Sequence, residues 1–365
     1  MDIGVIGWAM HPPADAIRNA RLEEIAFRTA RAALDDADIE RRQLDSVTLG
    51  ACDELDGRSI SSMLLAAPSG AYLKDEIRVT DSGMTALALS AMRVASGRFD
   101  LALVISWNQT SVVPVEDVMR MRAEPFFLRP VGMNATIADG LFAGAVGREH
   151  GLDEAAVADL TVERQRRAQA NPRGLRRAPA TREQVLASAV RAWPLRAGHQ
   201  APITDGAFAF VLASPRWLKA NPAHRPIARL RAMSWSIDSY RLDAHRLGAL
   251  DVFAHSLSDV LARSGRGASD PIDVIELEAQ TGYHDAAFTR KLAERPVRAI
   301  SPSGGTWAQN PLFCTGLANA AEAVLQVAGR AGPTQVPGAR FALAHGCHGF
   351  AQQAHVFAAF ERVES

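Results

Sequence analysis

The sequence predicts an α/β protein built from two duplicated βαβ-type halves. Three observations carry this: apolar strand patterns alternate with small-residue helices, the alternation occurs twice in one order, and each half carries a glycine beside its central helix. In the first half, Ile3–Trp8 is a buried-strand pattern, and Arg21–Ala37 lays Leu22, Ile25, Ala26, Ala30, Ala33 and Leu34 on one helical face. A strand at Asp45–Gly50, a helix at Ser82–Ser96 ending at Gly97, and the apolar strand 99–106 follow. In the second half, a helix at Phe253–Arg263, a strand at 272–279, a PSGG turn at 302–305, a helix at Thr315–Val327 and a strand at 339–346 repeat the order.

Residues 108–200 break the rhythm and read as a cap or loop region inserted into the first half, with one helix expected at Asp153–Ala168. The expected units are residues 1–220, including this insert, and residues 221–365. The 365-residue length suits two such units.

Forty basic and forty acidic residues cancel, so no global field draws the chain to nucleic acid or to an anionic membrane. Three scattered cysteines make neither a disulfide framework nor a zinc site. The start, MDIGVIGWAMHPP, lacks the basic-then-apolar pattern of a signal peptide, and no run is long enough to span a bilayer. A cytoplasmic protein is expected.

Four segments then become specific. VTDSGMTALALSAMRVASGRFDLALVIS (79–106) resembles the V-C-A-S-G-M stretch of thiolases, and APITDGAFAFVLAS (201–214) their P-V-S-D-G-A strand. SPSGGTWAQNPLFCTGLANAAEAVLQVAG (301–329) is similar to their N-P-S-G-G…G-H-P segment. ALAHGCHGFAQQAHVF (342–357) occupies the place of their C-terminal C-x-G or H-G-x-G-G turn. In order and spacing, these segments resemble the thiolase superfamily across nearly the whole chain, nearest its sterol-carrier-type branch. The resemblance implies the thiolase fold, a five-layered αβαβα sandwich, and usually a dimer. It also implies a site where the halves meet, with a nucleophilic Cys at a helix N-terminus.

Residue by residue, the match departs from the family. The nucleophile falls on Thr80, whose hydroxyl is far less acidic than a thiol; Ser82 takes its place only if the register slips by two. The family His falls on Asn310, which can donate to an oxyanion but cannot move a proton. The water-holding Asn or His falls on Glu278, which is either a carboxyl with a raised pKa or simply a buried, hydrogen-bonded one. Cys347 stands at the second family Cys in one register and in a variable slot in the other. With His345 and His348 it clusters on one glycine turn, the expected seat of proton transfer. Cys52 and Cys314 read as small buried residues.

The arginines of 163–183 read either as a solvated face or as a dock for phosphates of coenzyme A, an acyl carrier or an acidic partner. Gly304 and Gly305, with Arg166, Arg173 and Arg176 of this run, are the expected contacts of the coenzyme A or phosphopantetheine portion of a substrate; no covalently bound cofactor or metal is expected. Two functions stay open. One is an enzyme acting on an acyl thioester without an acyl-Cys. The other is an inactive subunit paired with an active homologue or an OB-fold companion.

Overall fold

The computed structural model describes residues 1–364. The first half runs β1 (Ile3–Ala14), α1 (Leu22–Asp36), β2 (Ser46–Gly50), α2 (Asp53–Asp56), α3 (Ser61–Leu65), β3 (Asp75–Val79), α4 (Gly83–Ala95) and β4 (Leu101–Asn108). The insert folds as α5 (Val115–Met121), α6 (Ala135–His150), α7 (Glu154–Ala170), α8 (Arg182–Ala187) and a hairpin of β5 (Val190–Ala192) and β6 (Leu195–Arg196). It returns to the sheet through β7 (Asp205–Ala213), and α9 (Pro215–Ala220) follows. The second half runs β8 (Ala228–Ile237), α10 (Ala244–Ala249), α11 (Asp251–Arg263), β9 (Ile272–Glu276), α12 (Gly282–Leu292), β10 (Val297–Ile300), α13 (Thr315–Ala328), β11 (Phe341–His348) and β12 (Ala354–Glu361).

The duplication is visible in the strand order. One half reads β1-β7-β4-β2-β3 and the other β8-β12-β11-β9-β10, so each strand has a counterpart in the same position. The two sets join in one ten-stranded sheet through antiparallel pairing of Ile3–Val5 with Ala228–Leu230. Two apolar layers lie outside: α1 covers one half, and α11 and α12 cover the other with help from α6. The central layer is α4 with α13, both buried against strands of both halves. Helix, half-sheet, helix pair, half-sheet and helix make the five expected layers.

Small residues permit the central layer. A Cβ on Gly316 or Gly346 would come within 2.7 or 2.6 Å of the Met84 side chain, closer than carbon atoms approach. The start of α4, the start of α13 and the end of β11 therefore meet at one point.

The sequence reading missed α5 and α6, because α6 (ATIADGLFAGAVGREH) has small and apolar residues on every side and no amphipathic period. The strand at 272–279 ends at Glu276, where the chain leaves the sheet into the loop that carries Glu278.

The insert is tied down by buried charge. Arg173 makes a bidentate contact with Glu322 of α13 at 2.9 and 2.6 Å, and Asn171 Nδ2 donates to the same carboxylate at 2.8 Å. The Arg173 and Glu322 side chains are 15% and 6% exposed. Removing one member of such a pair leaves a buried charge unmatched. Arg173→Met is expected to lower the unfolding free energy by about 3 kcal/mol, as read by urea denaturation, with Glu322→Gln in the same chain recovering part of the loss.

Candidate functional site

Four chain segments end at one cavity of about 320 Å³. The β3–α4 turn brings Asp81 and Ser82, the loop after β9 brings Glu278 and Gln280, the loop before α13 brings Leu312 and Phe313, and the end of β11 brings Cys347 and His348, with Gly349 just beyond. These are the carboxyl ends of parallel strands, where loops rather than ladder bonds decide which side chains face a ligand. The insert closes the other wall with Met119, Arg122 and Asp139, among others.

Ser82 is the N-cap of α4, accepting from the Thr85 N–H at 3.2 Å, and its hydroxyl lies 3.1 Å from that of Thr85. The capping bond satisfies one of the orphan donors of the helix start. Thr80 is exposed and does not line the cavity. The structure brings Ser82 to the site and leaves Thr80 outside it.

Glu278 is 3% exposed. Its Oε2 accepts from the Cys347 backbone N–H at 3.2 Å and its Oε1 from Gln280 Nε2 at 3.1 Å. Burial dominates over these donors and pushes its pKa up to about 8. Most Glu278 carboxyls are therefore protonated at neutral pH, which removes the repulsion an ionised carboxylate would exert on an enolate.

Asn310 is fully buried and is not on the cavity wall. Its Nδ2 donates to Gln280 Oε1 at 2.7 Å and to the Ala201 carbonyl at 3.3 Å, while its Oδ1 accepts from Thr315 Oγ1 at 2.9 Å. Both amide hydrogens are spent, so the expected oxyanion donor is a correction: Asn310 orients Gln280 instead. Gln280 faces the cavity and has a second N–H beyond the one given to Glu278. The sequence reading passed over Gln280, because only the Asn310 contact shows that its amide is fixed.

The three residues of the HGCHG turn separate. Cys347 and His348 line the cavity, but His345 does not. His345 points into the aromatic layer behind, with its Nε2 3.0 Å from His355 Nδ1 and its ring stacked on Phe357. Burial drives its pKa well down, with the His355 and His284 charges adding. Strand alternation puts His345 and Cys347 on one face, but the end of β11 decides which of them reaches the cavity. The Cys347 thiol is raised well above its ordinary value by burial and then by Glu278, so it is a neutral thiol. His348 is lowered by burial, against the pull of Asp81, and is neutral at pH 7.

The remaining expected contacts fall elsewhere. Gly304 (φ +88°) is required because a Cβ would lie 2.4 Å from Ala168 N of α7, and Gly305 (φ +55°) packs on the Leu277 carbonyl; neither lines the cavity. The arginine run is largely consumed internally. Arg164 pairs with Asp285, Arg167 with Glu163, Arg173 with Glu322, Arg177 with Asp15 and Arg182 with Asp159. Arg166 and Arg176 have no carboxylate partner among the described residues, and none of the expected dock residues Arg166, Arg173 and Arg176 lines the cavity. Cys52 and Cys314 are buried thiols, as expected. No cluster of metal-ligating side chains occurs among the described residues, and no helix in them is long and apolar enough to cross a membrane.

Residues 285–359 match the family model described as Thiolase C-terminal domain-like. An acetyl-CoA acetyltransferase of Methanothermobacter thermautotrophicus is 27% identical over 391 aligned residues, spanning 98% of this chain and 99% of that protein. Along nearly its whole length the chain is similar to a member of the thiolase superfamily, and its C-terminal part matches a thiolase domain. Sterol carrier protein 2 of Rattus norvegicus is 29% identical over 173 residues, which is 40% of this chain and 30% of that protein. Two solved structures share the fold of this chain. They are acetyl-CoA acetyltransferase from Syntrophomonas wolfei (TM-score 0.79, 16% identity, 100% of this chain and 99% of that one) and human mitochondrial 3-ketoacyl-CoA thiolase in complex with CoA (0.78, 15%, 100% and 98%).

The three thiols of this chain are buried, and each has its pKa raised. Iodoacetamide at pH 8 is expected to leave the native protein unlabelled and to label all three cysteines in urea, read by intact mass. A carboxamidomethyl group on native Cys347 would contradict a neutral, enclosed thiol.

Proposed function

We propose that the protein is a thiolase-like enzyme acting on an acyl thioester of coenzyme A or of a carrier's phosphopantetheine. It makes or breaks a C–C bond, or transfers an acyl group, without an acyl-Cys intermediate. The match to an acetyl-CoA acetyltransferase along 98% of the chain supports the acyl-CoA acetyltransferase-like class. The observation that carries the finer reading is Glu278: a buried carboxyl with a pKa near neutrality, gripped by two donors on the wall of the cavity.

Thiolase turnover by covalent transfer needs a nucleophile of thiolate character, and neither Thr80 nor the neutral Cys347 supplies one. Enolate chemistry needs a proton carrier and a donor for the thioester oxygen. Glu278 is the carrier in this reading. The free N–H of Gln280 is the donor, with the first turn of α4 adding its positive end nearby. His348 and Cys347, both neutral, add polar edges to the site without competing charge.

Assembly as a homodimer, or with a thiolase homologue or an OB-fold companion, belongs to the same reading. Strand β3 is an edge of the sheet, and Met63 and Leu73 stand exposed near it as surface for such a partner. A second reading, the non-catalytic subunit, is favoured by the exposed Thr80 and the sealed Asn310.

The test is turnover of a short 3-hydroxyacyl-CoA and of acetyl-CoA by the full chain. Activity is expected to rise with pH toward about 8 as Glu278 ionises, since roughly a tenth of it is ionised at pH 7. Glu278→Gln is expected to lower kcat by at least ~100-fold with little change in thermal stability. Full activity in that variant refutes the reading, and no turnover by the wild-type chain under any of these conditions favours the subunit reading.

A further inference from the structure

A second cleft, of about 430 Å³, shares no lining residue with the cavity that holds Glu278. It lies where α7 meets the segment leading into α8 and the turn that follows Gly305. Gln165 stands on α7, Arg177 on the connecting segment, Gln184 on α8 and Trp307 on the turn.

The fold has left the donors of these four side chains largely unspent. Gln165 Oε1 accepts from the Ala180 N–H at 2.7 Å, and Gln184 Oε1 accepts from the Thr181 N–H at 2.8 Å. A backbone N–H can be met only by the amide oxygen, so both amides are oriented, and neither Nε2 has a partner among the described residues. Trp307 is only 8% exposed, yet its Nε1 is buried with no acceptor among the described residues. A buried indole N–H ordinarily finds one, and leaving it unmade costs free energy. Arg177 reaches Asp15 through Nη2, but the Asp15 side chain is 76% exposed, and so wet a pair holds little energy. The Nε and Nη1 hydrogens of Arg177 have no partner among the described residues. No aspartate or glutamate lines the cleft.

The rest of the wall is apolar, built from residues such as Ala168, Pro179 and Pro202 beside the Trp307 ring. One guanidinium matches one negative charge; a phosphate dianion would bring a second charge with no cation on the wall to meet it. A cationic ligand would face Arg177 with no carboxylate on the wall to hold it. Apolar walls around a few convergent polar groups suit a ligand with an apolar body.

We propose that this cleft is a second ligand site, for a small monocarboxylate with an apolar body. Arg177 and the two glutamine amides take the carboxylate oxygens, and the ligand supplies the acceptor that Trp307 lacks. The site backs onto the amides that hold Gln280. Pro202 follows Ala201, whose carbonyl accepts from Asn310 Nδ2 at 3.3 Å, and Trp307 lies three residues before Asn310. Binding here does not depend on the reaction proposed above, and its test reads no turnover.

The chain has six tryptophans, and Trp307 is the one that lines either cavity. In the full chain labelled with 15N-tryptophan, the indole N–H peak missing from Trp307→Phe identifies Trp307. Sodium hexanoate is expected to move that peak with a Kd on the order of 1 mM and to leave the other five in place. Arg177→Gln, with an unchanged Tm, is expected to weaken the binding by at least ~10-fold. Hexylamine, of the same length and opposite charge, is expected to leave the peak where it is. If Trp307→Phe does not fold, calorimetric titration of hexanoate into wild type and Arg177→Gln reads the same ~10-fold loss. The proposal is overturned if hexanoate moves nothing at about 20 mM, if hexylamine acts equally, or if Arg177→Gln binds as tightly as wild type. Inorganic phosphate or coenzyme A moving the Trp307 peak more strongly than hexanoate overturns the carboxylate class.

Discussion

The close passage of Met84 over Gly316 and Gly346 governs how the rest of this molecule is arranged. With no Cβ on either glycine, α4 and α13 nest between the two half-sheets and bring three chain turns to a common point. Side-chain bulk there would force the helices apart, and interiors packed to crystal density have no slack to absorb it. The cavity exists where those turns stop short of filling the space that the insert roofs over.

The chemistry of that cavity follows from burial rather than from charged partners. Arginines that might have lowered the nearby carboxyls are committed elsewhere: Arg164 to Asp285 and Arg173 to Glu322. Glu278 and Asp139 meet the low-dielectric interior without a cation beside them, and each is pushed to about 8. The same desolvation keeps Cys347 a thiol and His348 an imidazole. Carboxyls with no cation among the charges acting on them suit a reaction whose own charge appears only when an enolate forms.

An amide relay replaces the usual ionic scaffold. Thr315 fixes Asn310, Asn310 fixes Gln280, and Gln280 grips Glu278. The segment after the insert closes this relay from behind, since the Asn310 N–H donates to Thr204 Oγ1 and the Ala201 N–H to the Gln280 carbonyl. Loops from both halves are thus held by hydrogen bonds among residues that are buried except for Gln280, which reaches the cavity, and a satisfied polar network of this kind rigidifies a site.

The doubled order of strands and helices and the small-residue central helices were legible in the sequence because periodicity encodes them, while Glu278, Cys347 and His348 were singled out by the resemblance to thiolases. Other features lay beyond it. Helix α6 has no polar face to announce it, so Asp139 could not be read as a site residue. Asn310 and Gln280 sit 30 residues apart, and only their 2.7 Å contact shows which of them faces the cavity. His345 and Cys347 carry the same strand parity, and the direction each side chain takes depends on what packs behind β11. Local letters determine which elements form and what chemistry each residue owns. The desolvation that tunes a carboxyl and the contacts that spend or spare an amide hydrogen arise only when distant segments close around them.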